Sequence, residues 1–351
     1  MIIHTKNMLS FSQSSLFVLF LLKSILNSTS VEHPSVSGEY IAETGFYQSI
    51  DVKNGLPIFK KRSEYQDIII YNSEHYGKIL VLDGVVQLTE KDSNAYNEMI
   101  AHAAMFSHPK PKRVLVIGGG DGYVLHEVLK HPTVVQVDHV DLDEDVINAC
   151  SENFAWGKAW EDSRVNLNIA DGAAFVRDAP SNYYDVIIQD SSDPFAPGEN
   201  GILINLPSEV LYKKQHFENI HRILSKDGVF NFQAETFNIP SDLKGIRQWR
   251  KQAIDVGFAD SKYGSLYISS YPTGQIGFLL CRKMPLSSPS LDETKSLYAR
   301  MTKNGGKTSY YQPKLQISSF DLPLWVEESI YSQDQSTVYG KYNSKNMTDE
   351  F

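Results

Sequence analysis

Two hydrophobic periods divide the chain. From about Gly38 to Thr89 apolar residues alternate or run in short blocks, as in "YQDIIIYNSEHYGKILVLDGVVQLTE". That patterning, punctuated at Asn72-Ser73, Tyr76-Gly77 and Asp83-Gly84, predicts a small antiparallel sheet. The Asp-Gly between "ILVL" and "VVQL" predicts a tight hairpin, because the turn that matches strand twist needs left-handed backbone at both central residues. "NAYNEMIAHAAMF", Asn94 to Phe106, predicts a helix leading into a second unit.

From Lys112 onward strands and helices alternate. "RVLVI" precedes a glycine-rich turn, and the helix beginning near Tyr123 sets Val124, Leu125, Val128 and Leu129 on one face. "VVQVDHVDLD", "VNLNIADG", "YYDVIIQDSSDP" and "GVFNFQAE" read as further strands, and "SLYISSYPTGQIGFLLC" as a closing antiparallel pair. The fold class expected is α/β: a small N-terminal antiparallel β-domain, then a doubly wound, mostly parallel sheet. The expected organisation is an N-terminal extension over 1–37, the β-domain over 38–93, the catalytic domain over 94–331, and a disordered tail over 332–351.

Composition adds little to this and removes some options. With 42% hydrophobic and 11% aromatic residues in 351, the chain can bury a substantial core. A net charge of −9 speaks against nucleic acid as a partner and is compatible with a cationic substrate. The two cysteines, Cys150 and Cys281, lie in apolar segments and read as reduced packing residues. The apolar run Leu16 to Leu22 is too short to span a bilayer, so no stable membrane insertion is expected. Residues 1–30 read either as a signal peptide or as a disordered extension, with the cytoplasm as the default compartment.

The chemistry gathers at the strand ends, where ligands sit in open α/β sheets. The first strand ends in Gly118–Gly122 with Asp121, and the second at Asp141 and Asp143. The third ends at Asp171-Gly172, the fourth at Asp190 and Asp193, and the fifth at Glu235. A single aspartate after a strand is most often the N-cap of the next helix, and Asp143 is read that way. Asp141, about twenty residues after the glycine turn, suits ribose hydroxyls of either a nicotinamide or an adenosyl-sulfonium cofactor. Asp121 separates the two, because a carboxylate repels pyrophosphate and attracts a sulfonium or ammonium. In "QDSSDP" two carboxylates three residues apart can face one pocket, bind an amine and take its proton. No His or Cys cluster at ligand spacing accompanies them, so no metal is expected.

At these residues the sequence resembles the spermidine/spermine synthase family of aminopropyltransferases. "YQDIIIYNSEHYGKILVLDGVVQLTEKD", "YNEMIAH", "VLVIGGGDG", "DSSDP" and "YPTGQIGFLLC" match its signatures in order and spacing, over about Gly38 to Ser329. The resemblance implies that the doubly wound sheet is Rossmann-like, of the class I methyltransferase type. It also implies a reaction that transfers the aminopropyl group of decarboxylated S-adenosylmethionine, a co-substrate rather than a cofactor, to an amine, most like spermidine synthase. It implies Asp190 as general base, with Tyr96 beside it, and Tyr96, Asp193, Tyr271 and Glu235 around the acceptor amine. It places Asp121 at the aminopropyl ammonium, Asp141 at the ribose, Asp171 and Gly172 at the adenine, and Gln66, Asn97, Gly118, Gly120 and Pro197 around the nucleoside. It also implies a homodimer or homotetramer. Putrescine is the default acceptor. A longer acceptor, a methyltransferase and an inactive binding homologue are the alternatives.

The sequence departs from that pattern in places. Asn97 is shorter than the usual Gln or His, and Asp141 stands for the usual Glu. Tyr123 follows "GGGDG" where a small residue is commoner, which would crowd the cofactor. The segment 196–210 is longer than expected beside the substrate gate, and Phe237 and Asn238 replace an aromatic-rich acceptor wall.

Overall fold

The computed structural model describes residues 35–41, 43–197, 203–284 and 290–332. The extension over 1–30, the tail beyond 332 and residues 198–202 of the long segment lie outside the described residues.

The N-terminal part holds a hairpin of β1 (Ser35–Ile41) and β2 (Phe46–Asp51). Beside it runs a four-stranded antiparallel meander of β3 (Pro57–Arg62), β4 (Asp67–Ser73), β5 (Gly77–Leu82) and β6 (Val85–Thr89). The β5–β6 turn is the anticipated Asp83-Gly84, with φ of 47° and 86°, both left-handed as the two-residue hairpin demands. Strand β1 starts at Ser35, inside the stretch assigned to the N-terminal extension, because Ser35 to Ser37 pair with Asp51 to Ser49. Local polarity concealed a strand whose partner lies further along the chain.

Helix α1 (Ser93–Met105) connects to the second unit. There β7 (Arg113–Gly118), α2 (Tyr123–Leu129), β8 (Gln136–Asp141), α3 (Glu144–Asn153), β9 (Val165–Ile169), α4 (Gly172–Asp178) and β10 (Tyr184–Asp190) alternate. A short antiparallel pair, β11 (Phe195–Pro197) and β12 (Leu203–Asn205), interrupts the alternation. It resumes with α5 (Lys214–Ile223), β13 (Leu224–Gln233) and α6 (Pro240–Asp255), and β14 (Asp260–Tyr267) and β15 (Gln275–Arg282) close the sheet. Helices α7 (Leu291–Lys303), α8 (Pro313–Ser318) and α9 (Leu324–Tyr331) follow.

The seven-stranded sheet has the order β14-β15-β13-β10-β7-β8-β9; its five strands from β13 to β9 are parallel, and β15 runs antiparallel to both its neighbours, β13 and β14. Successive side chains of β7 serve opposite cores. Val114 and Val116 face the helix α1 side, whereas Leu115 and Ile117 pack with Phe217, Ile220 and Phe230. Strand order reverses between β7 and β10, with Gly118 paired to Asp190 at their carboxyl ends. A switch point of this kind opens a crevice above the sheet.

Helix α1 is buried on nearly every side. Its Glu98 accepts hydrogen bonds from the backbone N–H groups of Ser309, Tyr310 and Tyr311 at 2.8, 2.8 and 2.7 Å, which clamps the C-terminal segment over it. Its His102 contacts the Glu127 carboxylate at 3.1 Å and His131 at 2.9 Å, joining α1 to the region of α2.

Gly277 on β15 lies directly under the ring of Tyr263, whose hydroxyl donates to the Glu235 carbonyl at 2.8 Å. Any Cβ there collides with the ring. Gly277→Ala is expected to cost about 1–3 kcal/mol by overpacking and to loosen the Glu235 corner. Chemical denaturation with an unchanged midpoint would contradict this packing account.

Candidate active site

The glycine loop is built to bring backbone against two carboxylates. Gly118 has φ of 73°, and a Cβ there would run into the Asp190 carbonyl. The Gly119 N–H donates to that carbonyl at 2.7 Å, and a Cβ on Gly119 would stand 3.1 Å from Asp190 Oδ2. On the other side, a Cβ on Gly120 would stand 2.8 Å from Asp141 Oδ2. Gly122, with φ of 81°, leaves room for Trp160. Below the loop His139 contacts the Gly118 carbonyl through Nε2 at 2.7 Å and accepts from Trp160 Nε1 at Nδ1, at 2.8 Å. Burial lowers the pKa of His139 to about 4, so the ring is a neutral spacer.

Five carboxyls stand on this rim, and desolvation is the leading cause of a raised pKa in each. Asp121 is raised to about 8, first by burial and then by the charge of Asp190. Its Oδ1 accepts from the Tyr123 N–H at 2.8 Å. Asp141 is raised to about 6 by burial; its Oδ1 accepts from the Asp143 N–H at 2.9 Å. Asp190 is raised to about 6 by burial, against a hydrogen bond donated by the Tyr96 hydroxyl at 2.6 Å. Asp193 is raised by burial, and Glu235 is pushed well up by burial and by Asp193. The closeness of these two acids raises the proton affinity of Glu235 further, and Gln233 Nε2 donates to Asp193 Oδ1 at 3.4 Å. One Glu235 carboxylate oxygen is buried with no partner, and its backbone sits at φ of 52°, rare for a residue with a side chain. That corner is fixed by Tyr263 and by Gln275, whose Oε1 accepts from Thr236 Oγ1 at 2.6 Å and the Phe237 N–H at 3.1 Å.

A cleft of about 480 Å³ opens beside Asp190. Tyr96, Asp190, Asp193, Glu235 and Tyr271 all line it. The Tyr96 and Tyr271 rings lie 6.2 Å apart, and the Tyr271 hydroxyl donates to the Gln87 carbonyl at 2.6 Å. Beyond Glu235 the wall includes Asp242 and Trp249 from α6, and Ile41 and Glu43 from the β1–β2 hairpin. Sequence reading missed these, along with His139, because none sits in a motif; it missed Gln87, inside the N-terminal signature, because its part is played by a backbone carbonyl. The Phe237 ring packs against Tyr263 and Trp325.

The remaining candidates fall into groups. Gly118, Gly120, Asp121 and Asp141 converge at the switch point beside the cleft. Gln66 donates to Asp143 Oδ2 at 2.9 Å, and the Ser63 hydroxyl donates to the same oxygen at 2.6 Å. Asp143 thus caps α3 through Oδ1, as read, and also pins the N-terminal sheet to the rim. Asp171 caps α4 by accepting from the N–H groups of Ala173 and Ala174, and Gly172 lets that helix approach Ile117. Asn97 turns its amide back to the Ser93 carbonyl at 2.9 Å and is not among the residues lining the cleft. Pro197 pairs with Leu203 in the small β11–β12 ladder, which is how the long segment begins. Tyr123 stacks on Trp156 at 4.4 Å, so an aromatic stack takes up its bulk.

A family model for the spermine/spermidine synthase domain matches residues 93–291, and one for the spermidine synthase tetramerisation domain matches residues 38–90. The chain belongs to the spermine/spermidine synthase family. Its members are aminopropyltransferases. A spermidine synthase of Hyoscyamus niger is 38% identical over 286 residues, covering 79% of this chain and 84% of that protein. A spermine synthase of Saccharomyces cerevisiae is 36% identical over 282 residues, covering 78% and 88%. Among solved structures, a spermidine synthase in complex with the transition state analogue AdoDATO aligns with a TM-score of 0.74 at 28% identity, over 85% of this chain and 95% of that one. The spermidine synthase of Thermotoga maritima aligns at 0.73, also at 28% identity, over 85% and 94%. The two-part architecture expected from the sequence is therefore that of the family.

The raised carboxyl of Asp121 has a stability consequence. Folded, it keeps its proton up to about pH 8, whereas the unfolded chain loses it near 3.8. Stability therefore falls as pH climbs between those values, because the native state binds more protons. Asp121→Asn cannot ionise. It is expected to melt above the wild type at pH 8, with the gap closing toward pH 5. A gap that does not widen with pH would contradict the assignment.

Proposed function

We propose that this aminopropyltransferase moves the aminopropyl group of decarboxylated S-adenosylmethionine, bound as a co-substrate, to putrescine, giving spermidine and methylthioadenosine. The observation that carries the reading is Asp190. Its carboxyl adjoins the glycine loop, receives the Tyr96 hydroxyl and opens into the cleft. A pKa raised to about 6 suits a base that takes a proton near neutral pH.

The acceptor amine enters protonated and gives its proton to Asp190. The freed lone pair attacks the carbon next to the sulfonium; the C–N bond forms as the C–S bond breaks, and the sulfur leaves as a neutral thioether. Tyr96 orients the base, and Tyr271 walls the acceptor. Asp193 and Glu235, whose proton affinities are raised by burial, hold the far ammonium as carboxylates. Asp121 receives the ammonium of the aminopropyl group and Asp141 the ribose. Decarboxylation of the co-substrate matters because an intact methionine carboxylate would meet Asp121, which disfavours methyl transfer.

A longer acceptor is the second reading, favoured by the continuation of the cleft past Glu235 to Asp242 and Glu43. A homo-oligomer fits the match to the tetramerisation domain and the exposed Tyr47, Leu56, Ile58 and Tyr65 on the N-terminal part.

The test is a product assay on the full chain with decarboxylated S-adenosylmethionine and putrescine, spermidine or no acceptor. Asp190→Asn is expected to lower turnover by about 10²–10⁴-fold and to keep methylthioadenosine binding. Wild-type turnover should also fall below about pH 6 as Asp190 takes up its proton. Near-full activity in the variant would overturn the role of Asp190, and no methylthioadenosine from the wild type would overturn the reaction.

A further inference from the structure

Asp92 occupies the N-cap position of α1, where an aspartate ordinarily accepts from the first turn of its helix. Its side chain makes no such bond. Instead Oδ1 accepts from the Thr89 hydroxyl at 2.7 Å and the Ser270 hydroxyl at 2.9 Å. Oδ2 accepts from the Ser269 hydroxyl at 2.6 Å and the Ser270 N–H at 2.8 Å. Four donors fill the carboxylate, and three of them come from residues more than 170 positions away.

Those three donors belong to the two residues immediately before Tyr271. The segment they anchor is not regular: Thr273 sits at φ of 63°, and the Ser269 carbonyl accepts from Gln48 Nε2 of the β1–β2 hairpin at 3.2 Å. Asp92 lies one helical turn before Tyr96 on α1, so a single carboxylate fixes the loop of one cleft tyrosine to the helix of the other. The Tyr271 hydroxyl is tied to Gln87, on the strand that ends at Thr89. The linkage Gln87–Thr89–Asp92–Ser270–Tyr271 closes on itself and joins the N-terminal sheet to the acceptor wall.

We infer that Asp92 is a positioning residue for the amine acceptor, holding Tyr271 against Tyr96 without touching substrate. The inference rests on the reading of the cleft as an acceptor site. It predicts a split between the two ligands, since the glycine loop and Asp141 do not depend on this linkage.

Asp92→Asn keeps the shape but turns one acceptor oxygen into a donor facing donors. Calorimetry on the full chain would measure methylthioadenosine binding, then putrescine binding to the methylthioadenosine-saturated protein. Methylthioadenosine affinity is expected within about twofold of wild type, and putrescine affinity to fall roughly ten- to a hundredfold, the scale of a small misplacement. Ser270→Ala should lower putrescine affinity less and should not add fully to Asp92→Asn, because both act through one linkage. Unchanged putrescine affinity in Asp92→Asn would overturn the inference, as would a proportional loss of both ligands. If Asp92→Asn fails to fold, Ser269→Ala/Ser270→Ala decides in the same way. Wild type that binds putrescine without turnover would sink the catalytic reading alone, whereas wild type that binds no putrescine would sink the acceptor reading and this inference together.

Discussion

Several carboxyl groups are desolvated on one rim with their charges close together, and the rest of the site depends on that cost. Asp121, Asp141, Asp190, Asp193 and Glu235 all have raised proton affinities, and burial is the first cause every time. A buried carboxylate is tolerated only if it is neutralised, hydrogen-bonded or given a cation. On the proposed reading, their raised proton affinities let the rim exchange protons for cationic ligands.

The fold supplies this rim through its topology. Parallel strands β7, β8, β9, β10 and β13 end on the same side, and the reversal of order between β7 and β10 leaves the crevice open there. Glycines let the β7 loop lie directly on Asp190 and Asp141, which a side chain would push apart. The N-terminal part takes a share of the work. Ser63 and Gln66 bind Asp143, Gln87 holds Tyr271, and Ile41 and Glu43 finish the far end of the cleft. Without those contacts the rim would have acids but no acceptor wall.

Much of this was legible in the sequence, for identifiable reasons. Buried strands such as "RVLVI" and the Asp83-Gly84 turn carry their structure locally, and the acids at strand ends follow once the strands are placed. What stayed hidden depends on distant partners. Ser35 to Ser37 read as part of the N-terminal extension because their pairing with Asp51 to Ser49 leaves no local period. Tyr123 read as an intrusion because its stacking on Trp156 is invisible without the helix between them. Asp143 read as a cap, and it is one, but its second carboxylate oxygen binds residues about eighty positions earlier. His139 sits in an ordinary strand, and only the structure shows it bracing the glycine loop.

The most direct test of the cation-poised rim is proton release on binding. Calorimetry at pH 7 in buffers of different ionisation enthalpy would compare decarboxylated S-adenosylmethionine, a cation, with methylthioadenosine, which carries no charge. The cation should expel protons from the carboxyl cluster, led by Asp121 with its pKa near 8, while the uncharged nucleoside should release few or none. Equal proton release by the two ligands would contradict the account, because the rim would then be answering to occupancy and not to charge.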